Sequence, residues 1–134
     1  MKRNKYGIIW EKAPDIKKKS LHIINILKMS WIDKNNLYFI RSQHSSARAR
    51  ARIWGLPKVW QMSLREKPAY IIEVISEKFD NLTDEDKNKV LIHELSHIPK
   101  NFSGSLLPHI RKKGKRNFYD RVNSFFNQLK IVNR

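Results

Sequence analysis

The segment His93-Glu94-Leu95-Ser96-His97 sets two imidazoles four residues apart, with a carboxylate beside the first. On a helix, residues i and i+4 share a face, so both rings can bind one cation. This H-E-x-x-H spacing suits a zinc ion held by two histidines. The glutamate then projects toward the open side of the metal, where it can take a proton from water. The chemistry implied is metal-assisted hydrolysis of a peptide bond. Catalytic zinc takes three protein ligands and leaves one position open. Beyond His97 the chain offers only His109 and Asp120, because no Glu and no other His follows and there is no Cys anywhere. His109 follows Pro108 at the end of the Ser- and Gly-containing run Asn101–Leu107, which suits a chain reversal. It is the expected third ligand. Asp120 is expected to cap or orient the last helix, with a hydrogen bond to a ligand as its other possible role.

The elements that must position these residues can be read around them. Thr83-Asp84-Glu85-Asp86 is a helix start, with a hydroxyl cap and acids in the first turn. Val90, Leu91, Ile92, Leu95 and Ile98 make the following helix largely buried, and Pro99 should stop it about one turn after the histidine pair. Ile16 to Trp31 reads as an amphipathic first helix, with Leu21, Ile24, Leu27 and Met29 as its apolar positions. Leu37–Ile40 is a short strand. In the run from Ala47 to Ile53, small apolar residues alternate with Arg48, Arg50 and Arg52. A strand here would carry three guanidiniums on one face. Gly55 and Pro57 interrupt it, and Lys58–Ser63 is expected to continue the hairpin or its bulge. Tyr70–Ile75 is the clearest strand and the one expected to pair with an extended substrate. Phe118, Val122, Phe125, Phe126 and Leu129 give a C-terminal helix whose aromatic stripe belongs to the core.

Taken together, Arg48–Trp60, Pro68–Val74 and His93–His109 resemble a family of small metallopeptidases of archaea and phages, similar to SprT-like zincins. The resemblance spans about Tyr38 to Lys112. It implies a minimal zincin with Zn²⁺ on His93, His97 and His109 and with Glu94 as general base. It implies a reaction class and no particular substrate. His97 is followed neither by the Gly and His of metzincins nor by the downstream Glu of gluzincins.

Composition bounds the rest. A chain of 134 residues fits one domain, 1–134, with a modest core. The fold class expected is α+β: a small mixed or antiparallel sheet packed against an N-terminal helix, the H-E-x-x-H helix and a C-terminal helix. No apolar run is long enough to cross a bilayer, and Met1-Lys2-Arg3 lacks the apolar stretch of a signal peptide, so a cytoplasmic protein is expected. Net charge is +16, and it is uneven. Residues 1–60 carry 14 basic and 3 acidic side chains, while residues 61–134 carry 14 and 9. Such an excess attracts polyanions, so nonspecific nucleic-acid association is expected beside a protein or peptide substrate. The competing reading is a basic nucleic-acid-binding protein whose zinc is structural or catalytically silent.

Other residues invite weaker roles. His22 reads as an ordinary helix histidine, and His44, in a Ser-rich turn, could approach the metal or a substrate carboxylate. Arg48, Arg50 and Arg52 are either a solvated strand face or contacts to phosphate or carboxylate. Tyr119 is either a structural aromatic or a hydrogen-bond donor to a tetrahedral intermediate. Trp54 and Trp60 are expected to pack, although either could stack a base.

Overall fold

The computed structural model describes residues 7–109 and 117–132; the Met1-Lys2-Arg3 start lies outside them. In chain order the elements are β1 (Ile9–Lys12), α1 (Pro14–Ile26), a 3₁₀ turn (Lys34–Asn36), β2 (Leu37–Gln43), β3 (Ala51–Gly55), α2 (Lys58–Leu64), β4 (Tyr70–Ile75), α3 (Ser76–Phe79), α4 (Asp84–Leu95) and α5 (Phe118–Val132). The class is α+β, with a four-stranded mixed sheet of order β1-β2-β4-β3. β2 and β4 run parallel, and β1 and β3 flank them antiparallel.

Strand alternation divides the sheet into two faces. Leu37, Phe39, Ala51, Tyr70, Ile72 and Val74 turn inward and are buried. They share one core with Ile16, Ile23 and Ile24 of α1, Leu91, Ile92 and Leu95 of α4, and Val122 and Leu129 of α5. Burying a side chain of this size contributes about 1.5–3 kcal/mol relative to leaving it exposed. Arg41 ties the layers at one end. Its guanidinium donates to Asp15 of α1 at 2.8 and 3.1 Å and to Asp80 after α3 at 2.8 Å.

Four sequence expectations change. The first helix stops at Ile26, because Lys28 adopts a left-handed φ of 52°. Met29 N–H then bonds Ile24 O at 3.0 Å and Lys28 N–H bonds Asn25 O at 3.3 Å. This is a Schellman ending with lysine where glycine usually stands, so its usual marker is missing from the sequence. Lys58–Leu64 is helix α2 and not a continuing strand. Pro57 precedes it at φ −59°, and Arg65 ends it at φ 55°.

The arginine ladder does not form, because β3 begins only at Ala51 and leaves Arg48 and Arg50 in the loop before it. Finally, β4 lies between β2 and β3, so both its edges are already paired and it cannot pair with a substrate. The edge strand on that side is β3. On the other side, β1 escapes sequence reading because all four of its residues are exposed and show no alternation of burial.

Candidate metal centre

The site is built at the end of α4. Thr83 caps that helix by accepting from Asp86 N–H at 3.2 Å, and Asp84, Glu85 and Asp86 line its positive end. The helix closes at Leu95, earlier than its apolar pattern suggests. His97 N–H bonds Glu94 O and Ile98 N–H bonds Leu95 O, both at 3.1 Å, so the last turn tightens toward 3₁₀. Pro99 accounts for this, since it disfavours helical geometry at Ile98. His93 therefore sits in the last turn and His97 just past it. Trp31 Nε1–H satisfies the free carbonyl of Ile98 at 3.2 Å.

The chain after Pro99 is pinned back against this helix end. Leu107 N–H donates to His97 O at 2.7 Å, and Leu107 O receives a bond from His97 Nδ1 at 2.5 Å. Tyr70 Oη accepts from Gly104 N–H and donates to Ser105 O, both at 2.8 Å. Gln61 Nε2 donates to Leu56 O at 2.7 Å and to Ser103 O at 2.9 Å. Gly104 has a φ of 94°, and a Cβ there would meet Leu56 O at 2.3 Å. A Cβ on Gly55 would lie 2.0 Å from Gly104 O. Two backbones thus meet where only glycines fit.

This pinning brings His109 to the helix pair. His109 Nε2 lies 3.0 Å from His93 Nε2 and 2.8 Å from His97 Nε2. The three candidate ligand atoms all fall within 4.8 Å of one another. Neutral imidazoles alone do not satisfy this arrangement. His97 uses its Nδ1 proton on Leu107, which leaves Nε2 as a bare acceptor. A single proton on His109 Nε2 can then serve well only one of its two close contacts. One cation facing three lone pairs removes the conflict. Nitrogens bound tetrahedrally at roughly 2.0–2.1 Å stand about 3.3 Å apart, close to the 3.0 and 2.8 Å that separate His109 from the other two. Three neutral imidazoles are a donor set that fits a metal ion.

Protonation agrees with that fit. Burial lowers His93 to about 4, with the charges of His97 and His109 adding to the effect. Burial also lowers His97, against a smaller opposing effect of its bond to Leu107. Neutral rings are what metal binding requires. Burial pushes the Glu94 carboxyl up to about 8, and a nearby divalent cation would draw it back down. Among the described residues this carboxyl has no hydrogen-bond or ion-pair partner. It opens instead onto a cleft of about 400 Å³ that Arg50, Ala51, Lys89, His93 and Tyr119 also line.

The other sequence candidates fall as follows. Tyr119 is in the cleft, its ring 5.6 Å from that of His109. Arg50 lines the cleft while Arg48 does not. Arg52 turns to the far face of the sheet and pairs with Glu73. Asp120 is exposed and caps α5: its N–H donates to Asn117 Oδ1 at 3.0 Å, and its carboxylate accepts from Asn117 N–H at 3.3 Å. His44 is outside the three-histidine cluster, and its backbone N–H donates to Glu77 at 3.0 Å. His22 lies on α1, away from the cluster. Trp54 and Trp60 are 49% and 55% exposed and do not pack into the core as expected.

Sequence reasoning missed Phe118, whose ring stacks on His97 at 4.4 Å and meets His93 edge-on at 5.0 Å. The Asn117-x-x-Asp120 cap was the available signal that the first residue of α5 would be held in a fixed place. It missed Tyr70 and Gln61 as well, and no local pattern marks either.

An α+β fold that gathers three histidines at a helix end, with a buried carboxyl beside them, defines a protein with a candidate metal centre. The chain belongs to the family described as putative phage metallopeptidase, which matches residues 8–130. No curated protein and no solved structure matches it. Among the described residues, no helix is long and apolar enough to cross a membrane.

Proposed function

We propose that the protein is a zinc-dependent metallopeptidase with His93, His97 and His109 as ligands and Glu94 as general base. The observation that carries this reading is the convergence of three imidazole nitrogens beside a buried, unpartnered carboxyl in a cleft. A purely structural zinc site usually fills its fourth position with Cys or His. Here the cluster of described residues stops at three. Burying a carboxyl without a partner costs stability, and such costs gather at functional sites.

A zinc ion on the three rings supplies Lewis acidity, which makes water acidic near neutral pH and polarises a carbonyl. Glu94 takes a proton from the attacking water and later delivers it to the departing amine nitrogen. The Leu107 carbonyl holds the His97 ring in one tautomer and one orientation. Phe118 shields the rings on the α5 side. The Tyr119 hydroxyl donates to the carbonyl oxygen as negative charge gathers there. An extended peptide pairs along the edge strand β3, whose first residue, Ala51, lines the cleft with Glu94. Arg50 and Lys89 at the rim receive carboxylates of the substrate.

The test is Glu94→Gln assayed on casein. The variant should keep its metal, and turnover should fall about 10²–10⁴-fold. Cleavage at the wild-type rate would remove Glu94 from the chemistry.

A further inference from the structure

The face of the sheet turned away from the helices is not closed. Trp10 is 57%, Tyr38 52%, Trp54 49% and Ile71 36% exposed. Register places Trp54, Ile71 and Tyr38 side by side across β3, β4 and β2. Together with Trp10 and Glu73 they line a groove of about 420 Å³. Three exposed aromatic rings on one face of the sheet exceed the scattered apolar residues of an ordinary surface.

The platform is held in place. Glu73 is 1% exposed, at the centre of this face. Its carboxylate accepts from Trp54 Nε1 at 2.8 Å and from Arg52 Nε and Nη2 at 2.8 and 3.3 Å. The Arg52 guanidinium lies 4.9 Å from the centre of the Trp54 ring. Its one carboxylate is thus neutralised by a guanidinium.

The charges around the rings are positive. Tyr38 and Ile40 also line an adjoining groove that carries Lys12 and Lys17. Neither lysine makes an ion pair among the described residues. A second copy of a chain of net charge +16 would bring like charges together here. Flat exposed rings bordered by unpaired cations complement an anionic polymer with stackable rings.

We propose that this open sheet face binds single-stranded nucleic acid. Bases stack on Trp10, Tyr38 and Trp54, and Lys12 and Lys17 follow the phosphates. The platform lies on the sheet face opposite α4, and the proposal does not depend on the peptidase reading.

The experiment is fluorescence anisotropy of the full chain with a labelled twenty-nucleotide oligothymidine, at two salt concentrations. A duplex of equal length and a polyglutamate peptide serve as competitors. The expected result is preference for the single strand, with tryptophan emission quenched on binding. Trp10→Ala, Tyr38→Ala and Trp54→Ala should each lose roughly tenfold in affinity. Trp54→Phe, which keeps a ring, should lose less, and this separates stacking from damage to the fold. Lys12→Ala with Lys17→Ala should flatten the salt dependence. Oligonucleotide binding that ignores all three ring substitutions would overturn the proposal. So would polyglutamate competing as well as the oligonucleotide through the same rings, or a dimer in solution that Trp54→Ala dissolves.

Discussion

One strand serves both faces of the sheet, and it serves them differently. On the inner side of β4, Tyr70 is 1% exposed and directs its hydroxyl at the loop that delivers His109. On the outer side, Glu73 directs its carboxylate at Trp54 and Arg52, which remain open to solvent. The inner side builds a site by closing over it: a helix end, a pinned loop and an aromatic ring bring three imidazoles together. The outer side builds a surface by fixing exposed groups in place. Tyr70 on one side and Glu73 on the other have the same task, holding a neighbour that local sequence alone would leave free. The two sides should therefore fail independently.

The largest break on the inner side is His109→Ala. Zinc affinity should fall by more than the roughly 100-fold that supporting partners cost, while oligonucleotide affinity stays at the wild-type value. Equilibrium dialysis with a metal indicator, beside anisotropy, reads both. Loss of both activities together would mean that the faces are coupled.

Gly104→Ala should come next, because its new Cβ would press on Leu56 O and its left-handed backbone disfavours a side chain. A destabilisation of about 3 kcal/mol and weaker metal binding are expected in denaturant and metal titrations. Unchanged metal affinity would show that the loop does not need this close approach.

Tyr70→Phe removes two hydrogen bonds and leaves the packing, so it should cost about 1–2 kcal/mol and loosen zinc modestly. If zinc release is no faster than in wild type, Tyr70 is only a core aromatic.

The smallest effect belongs to the outer side. Burial alone would raise Glu73, but hydrogen bonds from Arg52 and Trp54 outweigh it and hold the carboxyl below its ordinary 4.5. A carboxylate lowered by folding contributes stability that is complete above that ordinary value and is lost as pH falls through the folded value. The melting-temperature gap between wild type and Glu73→Gln should therefore narrow as pH drops from 7 toward 3. A gap that is constant with pH would show that the ionised form is not what matters.

Legibility in the sequence follows the range of the interactions. His93, Glu94 and His97 could be placed together because a cap at Thr83 and helical spacing are local facts. His109 could be named by counting ligands, yet its placement depends on Tyr70, Gln61 and Gly55, which lie 34 to 49 residues before Gly104 in the chain. The α+β class and the principal helices were readable from periodicity. The end of α1 was not, because Lys28 holds a position that glycine usually marks. Nor was α2, whose apolar residues Val59, Trp60, Met62 and Leu64 face solvent and so mimic a strand pattern. The choice of β4 as the substrate-pairing strand failed for a topological reason. A strand's own residues do not reveal which neighbours flank it, and β3 arrives from earlier in the chain to take the edge.

Zinc stoichiometry by elemental mass spectrometry, on wild type and His109→Ala purified side by side without chelator, tests the centre most directly. Wild type should carry one zinc per chain and His109→Ala close to none. Equal metal content in the two proteins, whether near zero or near one, would contradict a three-histidine centre.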